Sequence, residues 1–381
     1  MIRSPRLAAL TLATLCAFPA VAQNAPGGET AAAAQDTPPA EQPVATGADS
    51  NVAPVSAPSA ADAAFTAFVL GLRDRAIAEG VKPETFDRET AGLTFNPRVI
   101  HFDRSQPGGS VTATGTPAPM NFAPYRQSHV DQAHIQKGQA RYQMLSALLA
   151  GNQAKTGVPG NVALAIFGLE TGYGSYTGNF DLIRSFASLA YDGRRRELFV
   201  AELIATLKLI DQGFTRAEMK GSWAGATGYP QFLPSTYLRI GTDGDGDGKA
   251  DIWTNDADTL ASISAYLQEA GWKPGTPWGV AVTLPADFDR AAVRSPLVSP
   301  RCPRVHARLS RWLTVGEWKA KGVIVAGYPA PADGELTQLL EPDGPGMTAY
   351  LLTSNYRAIL DYNCSNFYAM SVGVLADAIV R

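Results

Sequence analysis

The sequence predicts a mainly α-helical fold of the α+β class, with a helical core and a small β-containing insertion. Apolar residues recur at three- and four-residue steps in several stretches before residue 275, which is typical of amphipathic helices. Short β-branched runs follow between residues 279 and 330. The chain has 381 residues, of which 45% are hydrophobic and 18% charged, so it can bury a large core.

The N-terminus has the pattern of a secretory signal peptide at residues 1–22. Arg3 and Arg6 precede an apolar stretch at residues 7–21, which ends in small residues suited to cleavage. Cys16 is not preceded by the small residue normally found before a lipidated cysteine, so lipid anchoring is not expected. We therefore expect a periplasmic protein. No later stretch approaches the ~20 apolar residues of a transmembrane helix.

A linker and one large folded domain are expected after the signal peptide. Residues 23–60 are mostly Ala, Pro, Gly and polar residues, a composition that predicts disorder. The folded domain is expected at residues 61–381, with its core at about 120–275 and 345–381 and the insertion at about 279–340.

Two helices of the core are well defined by the sequence. The first is predicted over residues 196–211, RELFVAELIATLKLID, whose apolar positions follow the helical period. The second is expected to begin after Asp258 and to end at Gly271, a residue suited to a helix C-terminus.

Charge and cysteine content exclude one class of partner and suggest a cross-link. The net charge of -3 and pI near 5.9 leave no broad basic surface for a phosphate backbone, so nucleic acid is not expected.

Cys302 and Cys364 remain after removal of the signal peptide. In an oxidising compartment an even number of cysteines favours a disulfide, and two buried free thiols are the alternative.

Glu170 is the candidate catalytic acid. It lies in VALAIFGLETGYG at residues 162–174, where seven of the eight preceding residues are apolar and glycines follow. Apolar surroundings raise the pKa of a carboxyl group, so that it stays protonated near neutral pH and can donate a proton. The alternative is that Glu170 only caps a helix or forms a salt bridge.

Two further segments suit the binding of a polar, ring-containing ligand. GSWAGATGYPQFLPSTY at residues 221–237 combines glycines, hydroxyl and amide side chains with aromatic rings, although it also suits a packed turn. YNCSNFYAM at residues 362–370 combines tyrosines with asparagines, although it also suits a simple helix start. Residues 194–196 are three arginines that either bind carboxylates or form a solvated face.

Residues 243–254 follow the pattern of an EF-hand calcium loop. Acidic residues stand at positions 1, 3 and 5 and a glycine at position 6. The twelfth position is Thr254, which cannot supply the usual bidentate carboxylate. Asp258 is the expected replacement in a longer loop, Asp256 is the nearer competitor, and a solvated acidic turn without metal is the alternative.

Taken in order, these segments resemble the lytic murein transglycosylase B family. The resemblance covers about residues 120–381 and rests on six motifs: GLETGYG, the paired arginines, GSWAGATGYPQFLPSTY, the acidic loop with its tryptophan, AYLQEAGW and DYNCSNFYAMSVGVLA. The sequence departs from the family pattern at Tyr173, Gly193 and Pro230, where Trp, Pro and a small residue are more usual.

The resemblance implies a lysozyme-like helical catalytic core with a small subdomain that carries the calcium loop. It implies that Glu170 is the single catalytic residue. The residues implied to line or flank the glycan groove are Ser222, Gln231, Tyr266, Tyr362, Asn363, Tyr368, Tyr125, Arg195 and Arg196. The implied ligands of a structural Ca²⁺ are Asp243, Asp245, Asp247, the carbonyl of Lys249 and Asp258.

The function implied by the resemblance is lytic cleavage of the β-1,4 bond between N-acetylmuramic acid and N-acetylglucosamine, with 1,6-anhydro ends as products. Peptidoglycan strands are the expected partner, and a monomer is expected. A lysozyme-type muramidase that hydrolyses the same bond is the alternative enzyme, although hydrolysis usually needs a pair of carboxylates. A non-catalytic peptidoglycan-binding scaffold is the alternative from another class.

Overall fold

The computed structural model describes residues 60–105 and 121–381. The expected signal peptide and linker lie outside these residues, apart from Ala60. The helices are α1 Ala60–Leu70, α2 Arg73–Ala78, α3 Pro83–Thr90, α4 Pro97–Ser105, α5 Phe122–His129, α6 Gln132–Met144, α7 Ser146–Thr156, α8 Gly160–Thr171, α9 Leu182–Asp192, α10 Arg196–Asp211, α11 Pro234–Ile240, α12 Asp256–Glu269, α13 Pro303–His306, α14 Val315–Ala320, α15 Ser354–Tyr362 and α16 Asn366–Ile379, with a 3₁₀ turn at Ala291–Val293. The strands are β1 Phe180–Asp181, β2 Lys220–Gly221, β3 Gly279–Thr283, β4 Leu313–Thr314, β5 Ile324–Val325, β6 Leu336–Leu340 and β7 Ala349–Leu352.

Helix α8 lies at the centre of the helical core. Eleven of its twelve residues are buried, because its sequence is apolar or small on every side. It packs against α6, α7, α12 and α16. The predicted mainly helical fold is confirmed, and the helix predicted over residues 196–211 is α10. In the part of the chain that the structure describes, no helix has the length and apolar character needed to cross a bilayer.

The β-containing part is a five-stranded antiparallel sheet with the strand order β4-β6-β7-β3-β5. It has a core of its own, in which Trp318 is completely buried. Its strand β7 begins at Ala349, beyond the range of about 279–340 expected for the insertion. The run AYLL is too short and too uniformly apolar for its periodicity to distinguish a strand from a helix.

Strands β3 and β7 connect the insertion to the helical core. They pair in the middle of the sheet, with Val280 opposite Leu351, so the points where the chain leaves and re-enters the core are adjacent. The Thr353 side chain then caps α15 by accepting from the Asn355 N–H. The predicted disulfide between Cys302 and Cys364 is confirmed, and it joins the insertion to the turn between α15 and α16.

We expect replacement of both cysteines by alanine to lower the free energy of unfolding. The bridge closes a segment with a sequence separation of 62 residues, and the loss of such a cross-link costs ~4 kcal/mol in the chain-entropy description. Urea denaturation of the wild type and of the Cys302→Ala/Cys364→Ala variant measures the difference. Dithiothreitol should destabilise the wild type and leave the variant unchanged. Rapid alkylation of both thiols in the untreated native protein would contradict the bridge.

Candidate active site

Glu170 lies in the last turn of α8 and is 9% exposed. Burial away from water raises the pKa of its carboxyl group to about 7, and the neighbouring Tyr368 hydroxyl opposes this rise. Burial has the larger effect, so the net result is a rise. The site therefore contains one carboxyl group that is protonated in a large fraction of molecules at neutral pH.

The chain turns sharply after Glu170. Gly172 and Tyr173 both have left-handed backbone conformations, with φ of 57° and 59°. The Tyr173 ring folds back onto α8 and is nearly completely buried, and its hydroxyl donates to the carbonyl of His134 at 3.0 Å. A Cβ at Gly168 would lie 2.5 Å from this ring, so only glycine allows the close approach. The turn fixes the end of α8 and so the position of Glu170.

The glycine-rich loop at residues 221–232 packs against this turn. Its start pairs with Phe180–Asp181 through β1 and β2. Gln231 has a φ of 52°, and its Nε2 donates to the carbonyls of Thr177 and Gly228 at 3.3 and 2.9 Å. Gln231 thus ties the loop to the turn after Glu170. Ser222 stabilises the loop itself, because its Oγ accepts from the N–H of Ala226 at 3.1 Å.

Three tyrosines form a row that leads away from Glu170. The Tyr368 and Tyr362 rings are stacked with centroids 6.4 Å apart, and the Tyr362 and Tyr266 rings meet edge to face at 4.8 Å. The Tyr362 hydroxyl donates to the carbonyl of Pro230 at 2.6 Å, so the row is attached to the glycine-rich loop. Burial raises the pKa of all three hydroxyls, so they remain neutral at physiological pH.

Asn363 and Tyr125 lie beside this row. The Oδ1 of Asn363 is buried and accepts no hydrogen bond from the described residues, which is unusual for an amide oxygen. Tyr125 contacts Phe367 at 5.6 Å between ring centroids, next to Tyr368 in the chain. The predicted groove residues from the segment at 362–368 are thus brought together with Glu170.

The predicted arginines contact protein groups. Arg195 and Arg194 both bind Asp103, a buried acid on α4, with N–O distances of 2.6 Å. Arg196 donates to the carbonyls of Ala190 and Tyr191. These contacts hold the turn between α9 and α10, and a contact of Arg195 or Arg196 with substrate stays a prediction. Sequence reasoning missed Asp103 because no motif surrounds it and its partners lie about ninety residues away.

The acidic loop lies between α11 and α12. Carboxylate oxygens of Asp243, Asp245 and Asp258 lie within 4.8 Å of one another, while Asp256 pairs with Arg141 instead. Asp247 uses its Oδ1 to accept from the N–H of Lys249 at 2.8 Å. The geometry therefore favours Asp258 over Asp256 as the third acidic ligand of a cation.

Residues 64–377 match the family described as the transglycosylase SLT domain. Membrane-bound lytic murein transglycosylase B of Escherichia coli strain K12 is 27% identical over 257 residues, and the match spans 67% of this chain and 66% of that protein, just under two thirds of its length.

Solved structures of lytic transglycosylases have a similar fold. SltB3 from Pseudomonas aeruginosa, in complex with NAG-anhNAM-pentapeptide, is 39% identical with a TM-score of 0.72, over 83% of this chain and 79% of that one. Escherichia coli lytic transglycosylase Slt35 in complex with calcium is 22% identical with a TM-score of 0.66, over 84% and 93% of the two chains. The family match, the curated relative and these structures agree with the resemblance drawn from the six motifs. The chain belongs to the transglycosylase SLT domain family, in its lytic murein transglycosylase B group.

Proposed function

We propose that this protein is a periplasmic lytic transglycosylase that cleaves peptidoglycan at the bond between N-acetylmuramic acid and N-acetylglucosamine. The observation that carries the proposal is the buried carboxyl of Glu170, with its pKa raised to about 7, at the end of a row of tyrosines. The bound NAG-anhNAM-pentapeptide in SltB3 supports this substrate class. The signal-peptide pattern at residues 1–22 supports the compartment.

Neutral Glu170 donates its proton to the glycosidic oxygen as the bond to C1 of muramic acid breaks. The C6 hydroxyl of the same sugar then attacks C1 and loses its proton to the Glu170 carboxylate. A 1,6-anhydro ring forms and Glu170 is protonated again. Because the nucleophile is part of the substrate, its effective concentration is high and no second carboxylate is needed to position water.

Residues near Glu170 are placed to position the carboxyl group and the substrate. The Tyr368 hydroxyl lies next to the Glu170 carboxyl, and the Tyr362 and Tyr266 rings, which meet edge to face, offer aromatic faces for sugar rings. The buried Oδ1 of Asn363 is an acceptor for a substrate hydroxyl or acetamido N–H. The tyrosine hydroxyls stay neutral, so the groove places no fixed charge next to the carboxyl.

Glu170→Gln should abolish cleavage of purified sacculi and leave the fold intact. Loss of a general acid typically lowers kcat about 10³-fold, and the amide has nearly the shape of the carboxyl. Mass spectrometry of the released fragments measures the rate and identifies the ends, which should be 1,6-anhydro in the wild type. Glu202→Gln is the matched control, because Glu202 is also buried but binds Ser235 between α10 and α11. Reducing ends in place of anhydro ends would identify a muramidase.

Activity should fall as the pH rises through about 7. The carboxyl must be protonated to act as an acid, so kcat/KM should decrease about tenfold per pH unit above the pKa of Glu170.

Stability should follow the same titration. Because the pKa of Glu170 is higher in the folded state than in the unfolded state, low pH favours folding. The free energy of unfolding should fall by about 3 kcal/mol between pH 4.5 and 7. Urea titrations of the wild type and Glu170→Gln at pH 5 and 8 measure this difference. A Glu170→Gln variant that gains no stability over the wild type at pH 8 would contradict the raised pKa.

Calcium fits the acidic loop as a structural ion. The residues present are oxygen donors of the type that Ca²⁺ prefers, and Asp243, Asp245 and Asp258 bring three carboxylates together where like charges repel. The structure of Slt35 in complex with calcium supports the same assignment. The loop precedes α12, which packs directly against α8, so an ion there would stabilise the neighbourhood of Glu170 without contacting the substrate.

Addition of a calcium chelator should lower the Tm by several degrees. An ion present at about 100 times its Kd stabilises the folded state by ~2.7 kcal/mol. Differential scanning calorimetry with and without chelator measures the shift, and Asp245→Asn should reduce it. Asp287→Asn, which removes an exposed acid outside the loop, is the charge-matched control. An equal Tm for the wild type in chelator and in calcium would contradict the site.

A further inference from the structure

Five arginines and no acidic residue lie between residues 294 and 312 in the insertion. All five are exposed. The mildly acidic chain therefore presents a local basic surface, here called the arginine segment and defined as residues 294–312. Its members are Arg294, Arg301, Arg304, Arg308 and Arg311.

The arginine segment is fixed to the part of the chain that carries the tyrosine row. The Cys302–Cys364 disulfide joins the segment to the turn between α15 and α16. Next to it, the Nδ2 of Asn366 donates to the carbonyl of Val305 at 3.0 Å. Two contacts thus hold the segment beside the residues that face Glu170.

Arg301 reaches the far end of the tyrosine row. Its Nη1 lies 3.3 Å from the Oδ1 of Asp361, whose carbonyl accepts a hydrogen bond from the Tyr266 hydroxyl at 2.7 Å. The Arg301 side chain is still 49% exposed, so part of the guanidinium faces solvent at the end of the row. A guanidinium has five N–H donors, and the contact with Asp361 uses only part of them.

Arg304 directly follows Pro303 and lies two residues after Cys302 of the disulfide. Its guanidinium forms no hydrogen bond or ion pair with residues 60–105 or 121–381. Arg308, by contrast, packs over Phe367 and donates to the carbonyl of Pro342. Arg301 and Arg304 are therefore the two guanidinium groups that flank Cys302 of the disulfide and have donors left for a ligand.

We propose that Arg301 and Arg304 bind the free carboxylates of the acidic stem peptide on muramic acid, and so give the enzyme a preference for peptide-bearing strands. This rests on the proposed function. The tyrosine row can stack on sugar rings but offers no positive charge, while guanidinium groups match carboxylates in shape and charge. The disulfide holds both arginines at a fixed distance from the glycan groove.

Two substrates that differ only in stem charge test the proposal. Both are prepared from the same glycan strands with free amines acetylated, and in one the stem carboxylates are then converted to neutral N-methylamides. The kcat/KM for release of anhydro ends is measured for the wild type, Arg301→Gln/Arg304→Gln and Arg304→Gln. Arg311→Gln is the matched control, because Arg311 is equally exposed but lies near Glu317 on α14.

The wild type should cleave the charged strands faster, and the double variant should lose roughly 3- to 30-fold of kcat/KM on those strands alone, as expected for two exposed ion pairs. Arg304→Gln should lose part of the same preference, and Arg311→Gln none. An equal loss on both substrates, or no loss on either, would overturn the proposal. Wild-type protein that releases anhydro ends from neither substrate would instead refute the proposed function.

Discussion

The burial of one carboxyl group is the constraint on which the rest of the site depends. Because α8 is apolar on every side, Glu170 at its last turn is removed from water and ionises only at a raised pKa. A neighbouring lysine or arginine would oppose this effect. The Tyr368 hydroxyl beside the carboxyl only partly opposes the effect of burial.

Two strained residues lie in the chain segments that meet beside that carboxyl. Tyr173 and Gln231 both have positive φ values, which cost non-glycine residues about 1–3 kcal/mol each unless the surroundings compensate. Tyr173 is compensated by burial against Gly168, and Gln231 by two hydrogen bonds to backbone carbonyls. The strain is therefore found at the turn that fixes the end of α8 and at the loop that packs against it.

Features that depend on neighbouring residues in the chain could be predicted from the sequence, and features that depend on distant pairs could not. The apolar run before Glu170 and the pairing of two remaining cysteines are local or compositional, and the structure contains both a buried Glu170 and a Cys302–Cys364 bridge. The paired arginines suggested only solvent or substrate contacts, because Asp103 is about ninety residues away and has no motif. Arg301 could not be predicted for the same reason, since its proximity to Tyr266 arises only when the insertion folds back against the helical core.

The insertion is a structural unit separate from the helical core that carries Glu170. Since β3 and β7 pair directly, the chain leaves and re-enters the helical core at neighbouring points, and the segment between them can change without moving α8. The sheet also has its own core around Trp318, so its folding does not draw residues from the surroundings of Glu170. The disulfide then reconnects this separate unit to the turn before Tyr368. The charge of Arg301 on the insertion therefore lies at the Tyr266 end of the tyrosine row, whereas Tyr368 at the other end lies next to Glu170.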